Sequence, residues 1–118
     1  MKTERRRYCL ALDLVDDAQL IETYRNYHRP GNVWPEILAS IREAGVLDME
    51  IYHTGDRLLM IMEVDDNFSF EDKAEQDATN PKVAEWEALM ARFQRPLAGA
   101  APGEKWLPME RIFSLSEQ

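Results

Sequence analysis

The stretch Val46-Leu47-Asp48-Met49-Glu50-Ile51-Tyr52-His53-Thr54-Gly55-Asp56-Arg57-Leu58-Leu59-Met60-Ile61-Met62-Glu63-Val64-Asp65 decides the fold of this 118-residue chain. Two extended runs, Val46 to His53 and Leu58 to Asp65, flank Thr54-Gly55-Asp56-Arg57, a connection of hairpin length with a glycine in it. Upstream, Tyr8-Cys9-Leu10-Ala11-Leu12-Asp13-Leu14 alternates, with Tyr8, Leu10, Leu12 and Leu14 on one face, as a half-buried strand does. Two helical pieces lie between that strand and the hairpin. Asp16 or Asp17 can cap the first, in which Ala18, Ile21, Tyr24, Tyr27 and His28 recur at helical spacing until Arg29-Pro30-Gly31. The second takes Pro35 into its first turn and presents Trp34, Ile37, Leu38 and Ile41 on one face before Gly45.

Downstream, Asn67 to Thr79 is acidic and weakly helical. Asn80-Pro81 then opens a helix with the stripe Val83, Trp86, Met90 and Phe93, and Pro96 is expected to stop it. Leu97 to Lys105 has the small, breaker-rich composition of an exposed loop or arm, and Met109 to Leu115 is expected as a last strand. The order is βαββαβ, the ferredoxin-like pattern of an α+β fold, with residues 1–118 as a single domain. Helices on one face of an antiparallel sheet would leave the other bare, with Cys9 and Ala11 of the first strand and Leu or Met residues of the hairpin on it. That bare face is expected to meet a second copy, to line a ligand cavity, or both.

Charge narrows the partners. With 14 basic against 22 acidic side chains, the net charge of −8 disfavours nucleic acid, whose binding needs clustered Lys and Arg, and leaves neutral ligands open. The lone Cys9 makes no intrachain disulfide, and two histidines with one cysteine make no Cys/His zinc site. Lys2, Glu4 and Arg5 to Arg7 precede an apolar run that Asp13 interrupts, too short for a secretory signal. No run approaches the roughly 20 apolar residues of a membrane span, so a reduced, cytoplasmic location is expected. A phosphate-binding glycine loop, a Gly-x-Ser-x-Gly elbow and a His-Glu-x-x-His pair are all absent from the sequence.

Among chemistry-bearing residues, His28 stands four positions after Tyr24 and seven after Ile21, so one helical face presents all three. It reads either as a capping group near a helix end or as a proton-transfer group, since imidazole titrates near neutrality. His53, beside Thr54-Gly55, reads as exposed. Trp86 is a core filler or an apolar platform for a ring-shaped ligand, with its indole N–H free to donate. Trp34 and Trp106, each near a proline, pin loops or line a pocket mouth. Glu36 and Glu87 are solvated helix carboxylates or hydrogen-bond partners for a polyol.

Taken together, Tyr24-Arg25-Asn26-Tyr27-His28, Trp34-Pro35-Glu36-Ile37, Trp86 and Pro102-Gly103-Glu104-Lys105-Trp106-Leu107-Pro108-Met109-Glu110 resemble the L-rhamnose mutarotase family, which includes L-fucose mutarotases, over essentially the whole chain. The resemblance implies a dimeric α+β barrel, no metal or other cofactor, and interconversion of the anomers of a 6-deoxy sugar. It matches His28 to the family's proton donor, Tyr24 to a sugar-binding tyrosine, and Trp86 to the first of a sugar-binding tryptophan pair. Met49 stands where a rhamnose-binding tyrosine is expected, and Glu87 where the second tryptophan is expected. These departures change which sugar hydroxyls can be satisfied. The stretch from Pro102 to Glu110 is similar to the fucose-linked members, which makes L-fucose the first expected substrate and L-rhamnose the second.

The implied chemistry has His28 protonate the ring oxygen, while Tyr24 through a water, or Glu87, receives the anomeric proton. Two rival readings use the same residues: a cofactor-free monooxygenase on the same dimeric architecture, and a non-catalytic small-molecule-binding module.

Overall fold

The computed structural model describes residues 6–118; Lys2, Glu4 and Arg5 lie outside the described residues. Strand β1 (Arg6–Leu14) runs down the middle of an antiparallel sheet, paired from Arg6 to Asp13 with β3 (Arg57–Val64), which pairs in turn with β2 (Val46–Thr54). The other edge of β1 is shared by two short strands, β4 (Gln94–Arg95) and β5 (Leu107–Pro108). The resulting order, β2-β3-β1-β4, is that of the expected α+β fold.

Register assigns the side chains to faces, because directly opposed residues share one and neighbours alternate. Tyr8, Met62 and Met49 form one row across the sheet; Leu10, Met60 and Ile51 form the next. Cys9, Ile61 and Glu50, then Ala11, Leu59 and Tyr52, form rows on the opposite face.

Four helices cover the first face: α1 (Ala18–Tyr27), α2 (Pro35–Glu43), α3 (Phe70–Ala78) and α4 (Pro81–Ala91). Three begin on side-chain caps that take up orphan N–H groups. Asp17 accepts from Gln19 and Leu20, Ser69 from Asp72, and Asn80 from Lys82 and Val83. Leu14, Tyr24, Ile37, Leu58, Val83, Trp86, Met90 and Phe93 close one buried cluster between helices and sheet. A second joins Leu10, Val46, Met62, Val64 and Phe68. Asp13 is buried and charged, but it accepts from Arg57 Nε at 2.8 Å and has Arg95 Nη2 at 3.6 Å. The Arg57 hydrogen bond outweighs burial and holds its carboxyl below the usual range, so this end of β1 is tied to β3 and β4 by charge.

Several details depart from the sequence expectation. The hairpin connection is only Gly55-Asp56, with Gly55 at φ 57°, and Thr54 and Arg57 belong to the strands. Helix α4 ends at Ala91, so Phe93 lies beyond it, buried, with its carbonyl accepting from Val15 N at 2.8 Å. Pro96 therefore follows strand β4 instead of stopping a helix; a two-residue strand is too short to show periodicity. The expected strand from Met109 to Leu115 is not formed. Pairing with β1 covers Leu107 and Pro108 and ends where Met109 N donates to Cys9 O at 2.7 Å. Extended composition needs a partner edge to become a strand, and among the described residues the segment past Met109 finds none. It ends instead in a single 3₁₀ turn, Leu115–Glu117.

Gly45 joins α2 to β2 at φ 101°, with its carbonyl accepting from Asp65 N at 2.9 Å. A Cβ there would stand 2.6 Å from Asp65 Oδ1. Gly45→Ala combines a left-handed backbone with that clash and is expected to cost roughly 1–3 kcal/mol in urea denaturation.

Candidate active site

A cavity of about 630 Å³ opens between the helices and the sheet, within the range of small-molecule sites. Its floor is the helix-facing side of the sheet, including Leu10, Met49, Ile51, Met60 and Met62, and its walls carry Tyr24, His28, Trp86, Glu87, Gln94 and Trp106. The cavity thus lies on the covered side of the sheet, not on the Cys9 and Ala11 face that was one expected place for a ligand cavity. A shallower, polar hollow of about 320 Å³ beside Ser40 and Asn80 contains none of these residues.

His28 caps the C-terminus of α1. Its backbone N–H turns to the Arg25 carbonyl at 3.1 Å, and its Nδ1 lies 2.7 Å from the Tyr24 carbonyl. Because a carbonyl only accepts, Nδ1 carries the proton, and Nε2 of the neutral ring keeps its lone pair. Nε2 has no partner among the described residues and is not sealed from solvent. Burial lowers the imidazole pKa, more than the carbonyl contact raises it, so the ring rests neutral at pH 7. The capping and the proton-transfer readings of His28 are therefore compatible.

One turn earlier, the Tyr24 ring stacks on His28 at 4.4 Å between centroids and is 3% exposed. Burial pushes its hydroxyl up to about 12, against a lowering hydrogen bond from Gln94, with the Glu87 charge adding to the rise. The phenol is a standing proton donor near neutrality. Trp86 occupies two places at once. It fills the core and meets His28 at 5.7 Å edge-on, and it also forms cavity wall.

The structure thus brings together Tyr24, His28, Met49, Trp86 and Glu87, and adds Trp106 at the mouth. Trp34 does not line the cavity; it packs edge-on against Trp86 at 5.1 Å and braces it from behind. Glu36 is exposed on α2, and His53 turns its Nε2 to the Gly55 carbonyl at 2.6 Å; neither reaches the cavity. At the rim, Lys105 Nζ bonds the Glu87 carboxylate at 3.2 Å and the Glu87 carbonyl at 3.3 Å, clasping the 97–108 segment onto α4. Gln94, whose Nε2 donates to the Tyr24 hydroxyl at 3.3 Å, was not among the residues expected in the site. No spacing signal marks it, since only the pairing of Leu14 with Gln94 brings it there.

The family model for L-rhamnose mutarotase matches residues 7–115. The chain belongs to the L-rhamnose mutarotase family. It is 52% identical over 111 residues to an L-fucose mutarotase of Xanthomonas campestris pv. campestris, covering 94% of this chain and 89% of that protein. A Dictyostelium discoideum protein whose name carries no activity is 36% identical over 112 residues, or 92% of this chain and 88% of its own. The crystal structure of an L-rhamnose mutarotase from Formosa agariphila superposes with a TM-score of 0.67 at 19% identity, over 93% of this chain and 98% of that one, and supports the ferredoxin-like fold. Mutarotases are isomerases, the reaction class expected from the sequence.

The geometry sets two titrations. In NMR-monitored titration, His28 should keep its Nδ1–H tautomer and protonate with a midpoint below the ordinary value of about 6.5, while Tyr24 should stay protonated until pH about 12. A His28 midpoint above the ordinary value would contradict the buried, carbonyl-bonded ring.

Proposed function

We propose that this protein, working as one domain in the cytoplasm, interconverts the α and β anomers of a 6-deoxy-L-hexose, L-fucose first and L-rhamnose second. The observation that carries the reading is the free Nε2 of a neutral His28, beside the Tyr24 hydroxyl, in a cavity of sugar size walled by Trp86. The 52% identity to an L-fucose mutarotase supports the order of sugars. The compartment is inferred from the sequence; among the described residues no helix is long and apolar enough to cross a membrane.

Anomer exchange needs one proton to leave the C1 hydroxyl and one to reach the ring oxygen. Neutral His28 takes the first through Nε2 as the C1–O5 bond breaks and the aldehyde forms. The imidazolium then gives the same proton to O5, the donor role that the resemblance implies, so no net proton is consumed. Rotation about C1–C2 and closure in reverse yield the other anomer. Tyr24, with its proton held at neutral pH, donates a hydrogen bond to the oxygen on which charge develops. Trp86 packs on the apolar face and 6-methyl group of the sugar, and its indole N–H is free to donate. Glu87 accepts from a sugar hydroxyl at the rim, and Met49 offers a thioether where a hydroxyl donor would select rhamnose.

Saturation-transfer NMR of the anomeric protons tests this with L-fucose, L-rhamnose, D-galactose and D-glucose. Exchange should accelerate most for L-fucose, and His28→Ala should slow it at least tenfold, within the roughly 10²–10⁴-fold worth of acid–base help. A sugar that binds without faster exchange would favour the non-catalytic module, and oxygen consumption with an aromatic substrate the monooxygenase.

The working unit we propose is a homodimer. Past Met109 the chain leaves the sheet with Ile112 93%, Phe113 63% and Leu115 78% exposed, an apolar segment that a single chain leaves in water. Sedimentation equilibrium should give twice 13.7 kDa, and a chain shortened after Pro108 should sediment as a monomer.

A further inference from the structure

Gln94 has one contact that its surroundings explain and one atom that they do not. Its Nε2 donates to the Tyr24 hydroxyl oxygen at 3.3 Å, while Oε1 is buried with no hydrogen-bond partner. An acceptor buried without a donor is a cost that native structures rarely keep. Turning the amide over would let Oε1 accept the Tyr24 hydroxyl proton, at the cost of withdrawing the N–H from the same oxygen. The two ends of one amide therefore dictate opposite polarities for Tyr24. With N–H on its oxygen, Tyr24 has its proton free to donate; with Oε1 toward it, Tyr24 gives up that proton and keeps a lone pair to offer.

Ring opening needs the donor polarity. In the closed sugar O5 bears no hydrogen and can only accept, so the group facing it must donate. In the open-chain aldehyde O5 has become a hydroxyl, whose hydrogen the neutral His28 Nε2 that delivered it accepts.

We propose that Gln94 is a positioning residue that sets the direction of the Tyr24 hydroxyl, its N–H end on the phenol oxygen leaving the Tyr24 proton free for O5 of the closed sugar. This rests on the sugar-exchange reading of the cavity and extends it to a residue that does not itself touch the reacting atoms. Its place is fixed by the backbone. Gln94 pairs with Leu14 at the end of β1, and the neighbouring Phe93 ring packs on Tyr24 at 6.0 Å.

Two near-isosteric variants separate polarity from packing. Gln94→Met removes both ends of the amide and leaves Tyr24 free to rotate. Gln94→Glu, when ionised, only accepts, and holds the Tyr24 proton away from the sugar. With L-fucose at pH 8, Gln94→Met should lower kcat about 3–10-fold and Gln94→Glu about 10–100-fold, with KM changing less than kcat because the lost hydrogen bond is strongest in the transition state. The ratio of Gln94→Glu to wild-type rate should rise as pH falls from 8 to 5, because a protonated carboxyl regains a donor end. Neither substitution should lower the rate further in a Tyr24→Phe background.

Equal losses for the two variants with a pH-independent ratio, or full additivity with Tyr24→Phe, would reduce Gln94 to packing and overturn the proposal. Should Gln94→Glu not fold, the Gln94→Met and Tyr24→Phe cycle alone decides, additivity being fatal. A wild-type protein that accelerates no sugar defeats the exchange reading and this proposal together; an active wild type indifferent to Gln94 defeats this proposal alone.

Discussion

A hydrogen bond of 2.7 Å between His28 Nδ1 and the Tyr24 carbonyl holds the chemistry and the fold in the same place. At a helix C-terminus the last carbonyls have no intrahelical donors, and here the final backbone N–H tightens onto Arg25, leaving the Tyr24 carbonyl to the imidazole. The bond satisfies the helix end and fixes the tautomer in one contact. It also orients the ring, because Tyr24 stacks on it from one side and Trp86 meets it edge-on from another. A base whose proton-bearing nitrogen is committed to the backbone presents its second nitrogen in one direction only, which is what transfer between two oxygens on a single carbon requires.

The surrounding wall divides its labour by chemistry. Burial keeps the Tyr24 phenol protonated and the His28 imidazole neutral, so the resting site carries a donor and an acceptor side by side without a charge on either. Two of the charges on the lining are paired, Glu87 with Lys105 and Asp77 with Lys73. That arrangement suits an uncharged polyol and fits the overall acidity of the chain, which would repel a phosphorylated sugar.

Much of this was legible in the sequence because it is local. The three-, four- and seven-residue spacings placed Ile21, Tyr24 and His28 on one helical face, and Asp17 and Asn80 stand where two of the caps form. The hairpin was expected to give Leu or Met residues to the bare face; pairing puts Leu59 there but turns Met49, Met60 and Met62 to the covered face. What the sequence left hidden depends on long-range pairing. Gln94 becomes part of the site only because two residues after a helix happen to join the edge of β1. Trp34 reads as a pocket aromatic from its neighbours Pro35 and Glu36, yet packing turns it to the rear of Trp86. The stretch Met109 to Leu115 reads as a strand because local composition reports extended propensity, not the presence of an edge to pair with.

The floor formed by Met49, Met60 and Met62 is unlike the aromatic wall above it. Unbranched thioethers hop between rotamers and reshape cheaply, whereas the tryptophan and tyrosine rings are braced on several sides. Tolerance in such a chamber is directional. A guest altered where it rests on sulfur meets a cushion that yields, and one altered where it meets the indole and phenol meets a template that does not. Evolution can then retune which guest is accepted by exchanging single residues of the cushion, without disturbing the helix end that holds the His28 imidazole.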